Sequence, residues 1–130
     1  MEVISENFEC DLYIDANEEL ETFLQNIAYL FNTNLVDDGI CVEEGTLIVY
    51  KNHNFHKINK KNHEDGFLFY RYLIKANPNY LLGRENAIHF IAQILKYFWS
   101  KGFPTIAICD YENNLPYNGG YKNPVVPIPQ

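Results

Sequence analysis

Residues 8–31 read FECDLYIDANEELETFLQNIAYLF, and two periodicities meet inside that stretch. Phe8, Cys10, Leu12 and Ile14 alternate with Glu9, Asp11, Tyr13 and Asp15. A period of two puts the first set on one face of a strand and the second, largely acidic set on the other. From Leu20 the spacing changes. Leu20, Phe23, Leu24, Ile27, Leu30 and Phe31 recur every three or four residues, which is the buried stripe of an amphipathic helix. Asp15 or Asn17 is the expected cap, and Glu18, Glu19 and Glu21 in the first turns suit the positive end of the helix dipole. Asn32-Thr33-Asn34 marks the end of the helix.

The rest of the chain repeats these signals. Ile40–Glu43 and Thr46–Lys51, joined through Glu43-Glu44-Gly45, read as a hairpin. Residues 52–66 are polar, rich in Asn, Lys and His, and read as the longest loop. Phe67–Ala76 reads as a strand, broken at Asn77-Pro78-Asn79 because proline lacks a donor and restrains the residue before it. Arg84–Ser100 reads as a second helix, with Ala87, Ile88, Ile91, Ile94, Leu95 and Phe98 buried and Lys101-Gly102 as its stop. Phe103–Cys109 is a last apolar strand, Asp110–Tyr121 a loop, and Asn123–Gln130, with three prolines, an extended tail. The order β-α-β-β-β-α-β predicts an α+β two-layer sandwich: a largely antiparallel sheet with two helices on one face.

No repeat or linker interrupts residues 1–130, which are expected to form a single domain. With 47% apolar and 15% aromatic residues, the chain can fold on a core of its own rather than remain disordered. Cys10, Cys41 and Cys109 cannot all pair within one molecule, and no CxxC is present, so three reduced, at least partly buried thiols are expected. The opening MEVISENFEC resembles no secretion signal, and no apolar run reaches the ~18 residues of a membrane span. A cytoplasmic location is expected, without membrane contact.

The net charge of −7 is unevenly laid out. Residues 1–50 hold twelve carboxylates and no Lys or Arg, whereas residues 51–130 hold all ten basic residues and five acids. Such asymmetry gives a directional field and disfavours phosphate on the acidic part. Lys57, Lys60 and Lys61 form a small basic cluster, but the acidic half argues against direct nucleic-acid binding.

Catalytic patterns are weak. His53, His56 and His63 lie in a lysine-rich loop without the i, i+4 spacing or the thiol and carboxylate partners of a metal site. Cys109 is followed by Asp110 and Glu112, which should raise its thiol pKa and blunt it as a nucleophile. Asp37-Asp38 and Glu43-Glu44 read as solvated turn carboxylates, and no phosphate loop or nucleophile elbow is present. No catalytic residue, metal or cofactor is expected.

Two surfaces remain. One is acidic: Glu9, Asp11, Glu18, Glu19, Glu21, Asp37, Asp38, Glu43 and Glu44. The other is the run Cys109-Asp110-Tyr111-Glu112-Asn113-Asn114-Leu115-Pro116-Tyr117-Asn118-Gly119-Gly120-Tyr121, where the glycines permit a shaped backbone and the tyrosines suit an interface. From Arg84 to Tyr121 the chain resembles the C-terminal part of immunity proteins of contact-dependent growth inhibition and related polymorphic toxin systems. The motif is Asp110-Tyr111-Glu112, then Leu115-Pro116 and Gly119-Gly120-Tyr121. The resemblance implies a non-catalytic cytoplasmic inhibitor of one cognate toxin domain, often a nuclease. A nuclease site is cationic, so acidic residues, with Asp110, Glu112, Tyr117 and Tyr121, would meet it. The alternative is a small-ligand-binding or enzymatic α+β domain with a site near the Asp110–Tyr121 loop.

Overall fold

The computed structural model describes residues 7–62, 65–123 and 126–127. Glu2, Glu6, His63 and most of the proline-rich tail lie outside them. The described chain is an α+β sandwich with five strands: β1 (Cys10–Ile14), β2 (Gly39–Val42), β3 (Gly45–Lys51), β4 (Tyr72–Pro78) and β5 (Thr105–Ile108). They pair antiparallel throughout, in the order β2-β3-β4-β1-β5. Helices α1 (Leu20–Leu30) and α3 (Gly83–Ser100) cover one face, and α2 (Asn59–Asn62) is a single turn between β3 and β4.

The alternation in residues 8–15 decides which face is covered. Cys10, Leu12 and Ile14 are buried and share one core with Phe23, Leu24 and Ile27 of α1 and with Phe90, Ile91, Ile94, Leu95 and Phe98 of α3. Phe23 stacks on Tyr72 at 4.4 Å between ring centres and lies 5.2 Å from Phe98, so one ring of α1 touches both β4 and α3. The Tyr72 hydroxyl leaves the core by donating to the backbone oxygen of Glu18.

Each helix ends in the same device. Thr33 N–H bonds to Ala28 O and Asn32 N–H to Tyr29 O, with Asn32 at φ 49°. At the end of α3, Phe103 N–H bonds to Phe98 O and Gly102 N–H to Trp99 O, with Gly102 at φ 80°. Both are left-handed stops that satisfy the last carbonyls.

Three local expectations change. Neither Asp15 nor Asn17 caps α1, whose capping position is Glu19 without a side-chain bond. Asp15 instead extends the β1–β5 ladder, its N–H bonding to Pro104 O at 2.8 Å. The strand expected over Phe67–Ala76 begins only at Tyr72 and runs to Pro78, and Gly66–Phe69 is a 3-10 turn. The Asn52 side chain holds that turn by donating to Leu68 O and Tyr70 O, at 2.9 and 2.7 Å. Phe67 then folds edge-on against Tyr13, on the face away from the helices. Finally, Asp110–Tyr121 is ordered as a 3-10 turn over Glu112–Asn114 followed by a turn over Pro116–Gly120 in which Tyr117, Asn118 and Gly119 take left-handed backbone.

That last segment seals the outer edge of β5. A Cβ at Gly119 would lie 2.7 Å from Ala107 O, and one at Gly120 would lie 2.8 Å from Thr105 O and 2.9 Å from the Trp99 ring. Only glycine lets the backbone come so close, and here it covers an edge that would otherwise be open to strand pairing. Tyr111 fastens the start of the segment, its buried hydroxyl donating to Phe8 O at 2.7 Å. We therefore expect Gly120→Ala, at φ 91°, to cost on the order of 1–3 kcal/mol in urea denaturation. Because Trp99 is the single tryptophan, its emission should also shift to the red.

Candidate functional site

The described residues form a cleft of about 760 Å³ at the end of the sheet where three connections meet. Asp15, Ala16 and Asn17 enter it from the β1–α1 connection. Lys51 and Asn52 come from the end of β3, Phe55, Lys57, Lys60 and Lys61 from the segment that follows, and Arg71 from the start of β4. Lys101, Gly102, Phe103 and Pro104, between α3 and β5, complete the wall. Six of the chain's ten basic residues therefore line one cavity, against a single carboxylate.

Antiparallel pairing brings these cations together. Lys51 ends β3 opposite Tyr72, the first residue of β4, so Arg71 just before it lies at the same end of the sheet. The α3 stop at Gly102 delivers Lys101 there from the helix layer. Lys60 is half-buried and bonded to Asp15 Oδ2 at 2.7 Å, with the two side chains 15% and 9% exposed. That pair is an internal tie between the β3–β4 segment and β1. Arg71 lies 3.9 Å from Glu19, whose side chain is 89% exposed, which is a loose surface contact. Lys51, Lys57, Lys61 and Lys101 are exposed and meet no carboxylate among the described residues at ion-pair distance.

The residues singled out in the sequence are not on one surface. Glu9 is exposed just before β1, and Asp11 faces away from the helices, in register between Lys75 and Ile108. The Glu18 carboxylate accepts from Asn26 Nδ2 at 2.7 Å, and Glu21 is exposed on α1. Asp37-Asp38 and Glu43-Glu44 flank the two ends of β2, the edge strand opposite β5. Asp110 is exposed, whereas Glu112 turns inward and accepts from Cys109 N–H at 3.1 Å. Tyr117 packs against Trp99, while Tyr121 packs edge-on to Phe67 and donates to Asp65. The two tyrosines thus face different layers, and no residue from 110 to 121 lines the cleft.

Histidine and cysteine chemistry is locally absorbed. His56 Nδ1 accepts from Asn59 N–H at 3.0 Å. No group of three or more His, Cys, Asp or Glu among the described residues could hold a metal. Cys10 on β1 and Cys109 just after β5 are electrostatically interacting neighbours, and the Cys10 thiol donates to Asp11 O at 3.8 Å. Its interaction with the Cys109 thiol, together with burial, raises the Cys10 thiol well above its usual value. The same interaction lowers Cys109, outweighing burial and the upward push of Glu112 and Asp110 that the sequence emphasised. Cys41 departs from the expected burial. The β2 alternation turns Ile40 inward and leaves Cys41 exposed.

No helix among the described residues is long and apolar enough to cross a membrane. Comparison with protein families, curated proteins and solved structures returns no match.

Labelling of the native protein with a bulky thiol reagent should therefore show one fast site, lost in Cys41→Ser. Cys109 should follow more slowly, and Cys10 only on unfolding. Fast modification of Cys10 in the folded protein would contradict the core placement of β1.

Proposed function

We propose that this protein is a cytoplasmic immunity protein that works by binding, with a cognate secreted toxin domain, cationic and nuclease-like, as its partner. The observation that carries the reading is the state of the β2 edge. Beyond the bridge from Val36 to Gly39, no strand pairs with its outer side among the described residues, and Asp37, Asp38 and Glu43 around it are exposed, with Glu44 half-buried. None of the four meets a cation at ion-pair distance within the described chain. Carboxylates left unpaired in this way stay available to a basic partner, and they act first on encounter. The resemblance at Asp110–Tyr121 points in the same direction, although Tyr117 and Tyr121 there face different layers.

A second reading is a ligand-binding domain, favoured by the cleft. The cleft presents converging polar groups around a partly open volume of the size small-molecule sites use. The two readings use different surfaces, so variants separate them.

The immunity reading requires a toxin domain encoded beside this protein, and association kinetics with that domain test it. Asp37 sits at φ 53°, a conformation Asn tolerates better than Lys, so the variant should combine Asp37→Asn with Asp38→Lys, Glu43→Lys and Glu44→Lys. Association should slow by roughly tenfold or more at low salt, and differ little near 1 M salt, where the screening length is about 3 Å. Folding stability should move by less than about 1 kcal/mol. Unchanged association at every salt concentration would remove the β2 edge from the interface.

A further inference from the structure

Exposed basic residues are common on surfaces, but they are usually dispersed and interleaved with acids. Here Lys51, Lys57, Lys60, Lys61, Arg71 and Lys101 converge on one cavity of about 760 Å³, in a chain whose net charge is −7. The carboxylate in the lining, Asp15, is already committed to Lys60. Of the other five, Arg71 has only its loose contact with exposed Glu19, and Lys51, Lys57, Lys61 and Lys101 meet no carboxylate among the described residues, so a bound anion finds unpaired partners here. The walls are built rather than incidental. Asn52 is locked by its bonds to Leu68 O and Tyr70 O, Asp15 and Lys60 tie two elements, and Gly102 fixes the turn that brings Lys101. Phe55, 36% exposed with Lys60 Nζ 5.6 Å from its ring centre, adds a flat apolar wall.

From this convergence we propose that the cleft is a binding site for a small ligand carrying a polyphosphate group. The cation count decides the class. A single carboxylate or monophosphate neutralises one or two charges, whereas a diphosphate or triphosphate matches several lysines as point-charge partners and offers Arg71 a bidentate contact. Size and surroundings favour a small molecule over a nucleic-acid strand. The cavity falls within the ~300–1,000 Å³ of small-ligand sites. A strand running out of it past α1 would meet exposed Glu19 and Glu21. This site deepens the ligand-binding reading and uses none of the carboxylates at the β2 edge.

The test is calorimetric titration of the whole protein, at low salt, with inorganic pyrophosphate, ADP, ATP and adenosine. Pyrophosphate and the nucleotides should bind and adenosine should not, with affinity falling as salt is raised. The double variant Lys57→Glu, Lys61→Glu alters two exposed side chains with no ion-pair partner in the described chain, and should weaken binding at least tenfold. Lys96→Glu, on the exposed face of α3, should change it less than twofold. Phe55→Ala distinguishes the source of the phosphate. A loss confined to ADP and ATP identifies a nucleotide, and no loss identifies the polyphosphate group alone. Absence of any phosphate binding, equal loss in Lys96→Glu, or tighter binding of a single-stranded oligonucleotide that grows with its length would overturn the proposal. The double variant should still neutralise the toxin partner, so failure here leaves the immunity reading standing and separately measurable.

Discussion

The structure depends on how Phe23 is buried. Its ring lies between Tyr72 of β4 and Phe98 of α3, and it is fully buried. Aromatic pairs of this kind contribute roughly 0.5–1.5 kcal/mol each beyond the area they bury, and truncation of such a Phe typically costs about 3–5 kcal/mol. More important than the magnitude is the geometry. One side chain of the first helix fixes its distance to a central strand and to the second helix together. Tyr72 adds a polar constraint, because its hydroxyl must find a partner once the ring is buried and does so at Glu18 O. The start of α1 is thereby set against the start of β4.

Charge placement follows from that setting. When the start of α1 is held at the start of β4, the β1–α1 connection, Arg71 and the end of β3 fall at one end of the sheet, and the α3–β5 turn joins them. The acidic N-terminal half of the sequence does not become an acidic half of the molecule. Asp15 goes into the cationic cleft, Glu9 and Asp11 lie along or beside β1 on the side away from the helices, and Asp37, Asp38, Glu43 and Glu44 go to the far edge. Sequence proximity of like charges is thus converted into spatial segregation along different lines from those the chain order suggests.

This explains which features were legible beforehand. The strand and helix of residues 8–31 declare themselves because burial period is a local property, and the element order followed from it. The α3 stop was equally local, since Lys101-Gly102 needs only a left-handed residue. Phe67–Phe69 misled because an apolar run states that it will be covered, not how; Asn52, fifteen and more residues away, turns it into a 3-10 turn. Asp15 resembled a helix cap until Pro104, from the opposite end of the chain, claimed its N–H for the sheet. The cleft was hidden for the same reason. Lys57, Lys60 and Lys61 were visible as a cluster, but Lys51, Arg71 and Lys101 join them only through strand register and helix length. Cys41 depended on the phase of a four-residue strand, too short for its pattern to be distinguished.

Oppositely charged surfaces on one small domain could be expected to cancel, and the dimensions show why they need not. Glu43 and Glu44 precede β3 and Lys51 ends it, and a strand of seven residues spans roughly 20 Å. Screening in physiological salt falls off over about 8 Å. The hairpin tip and the cleft therefore act as separate fields in the cell and merge into one molecular dipole only at low ionic strength. Asp37 and Asp38 are nearer the cleft end, because Asp38 O accepts from Val49 N–H at 2.8 Å, two residues before Lys51. Those two carboxylates are where the fields overlap. A cationic partner held there would withdraw negative potential from the cleft mouth, whereas an anion in the cleft would weaken attraction at that end of β2 and leave Glu43 and Glu44 largely unaffected. Electrostatic coupling between the two surfaces would thus run through Asp37 and Asp38.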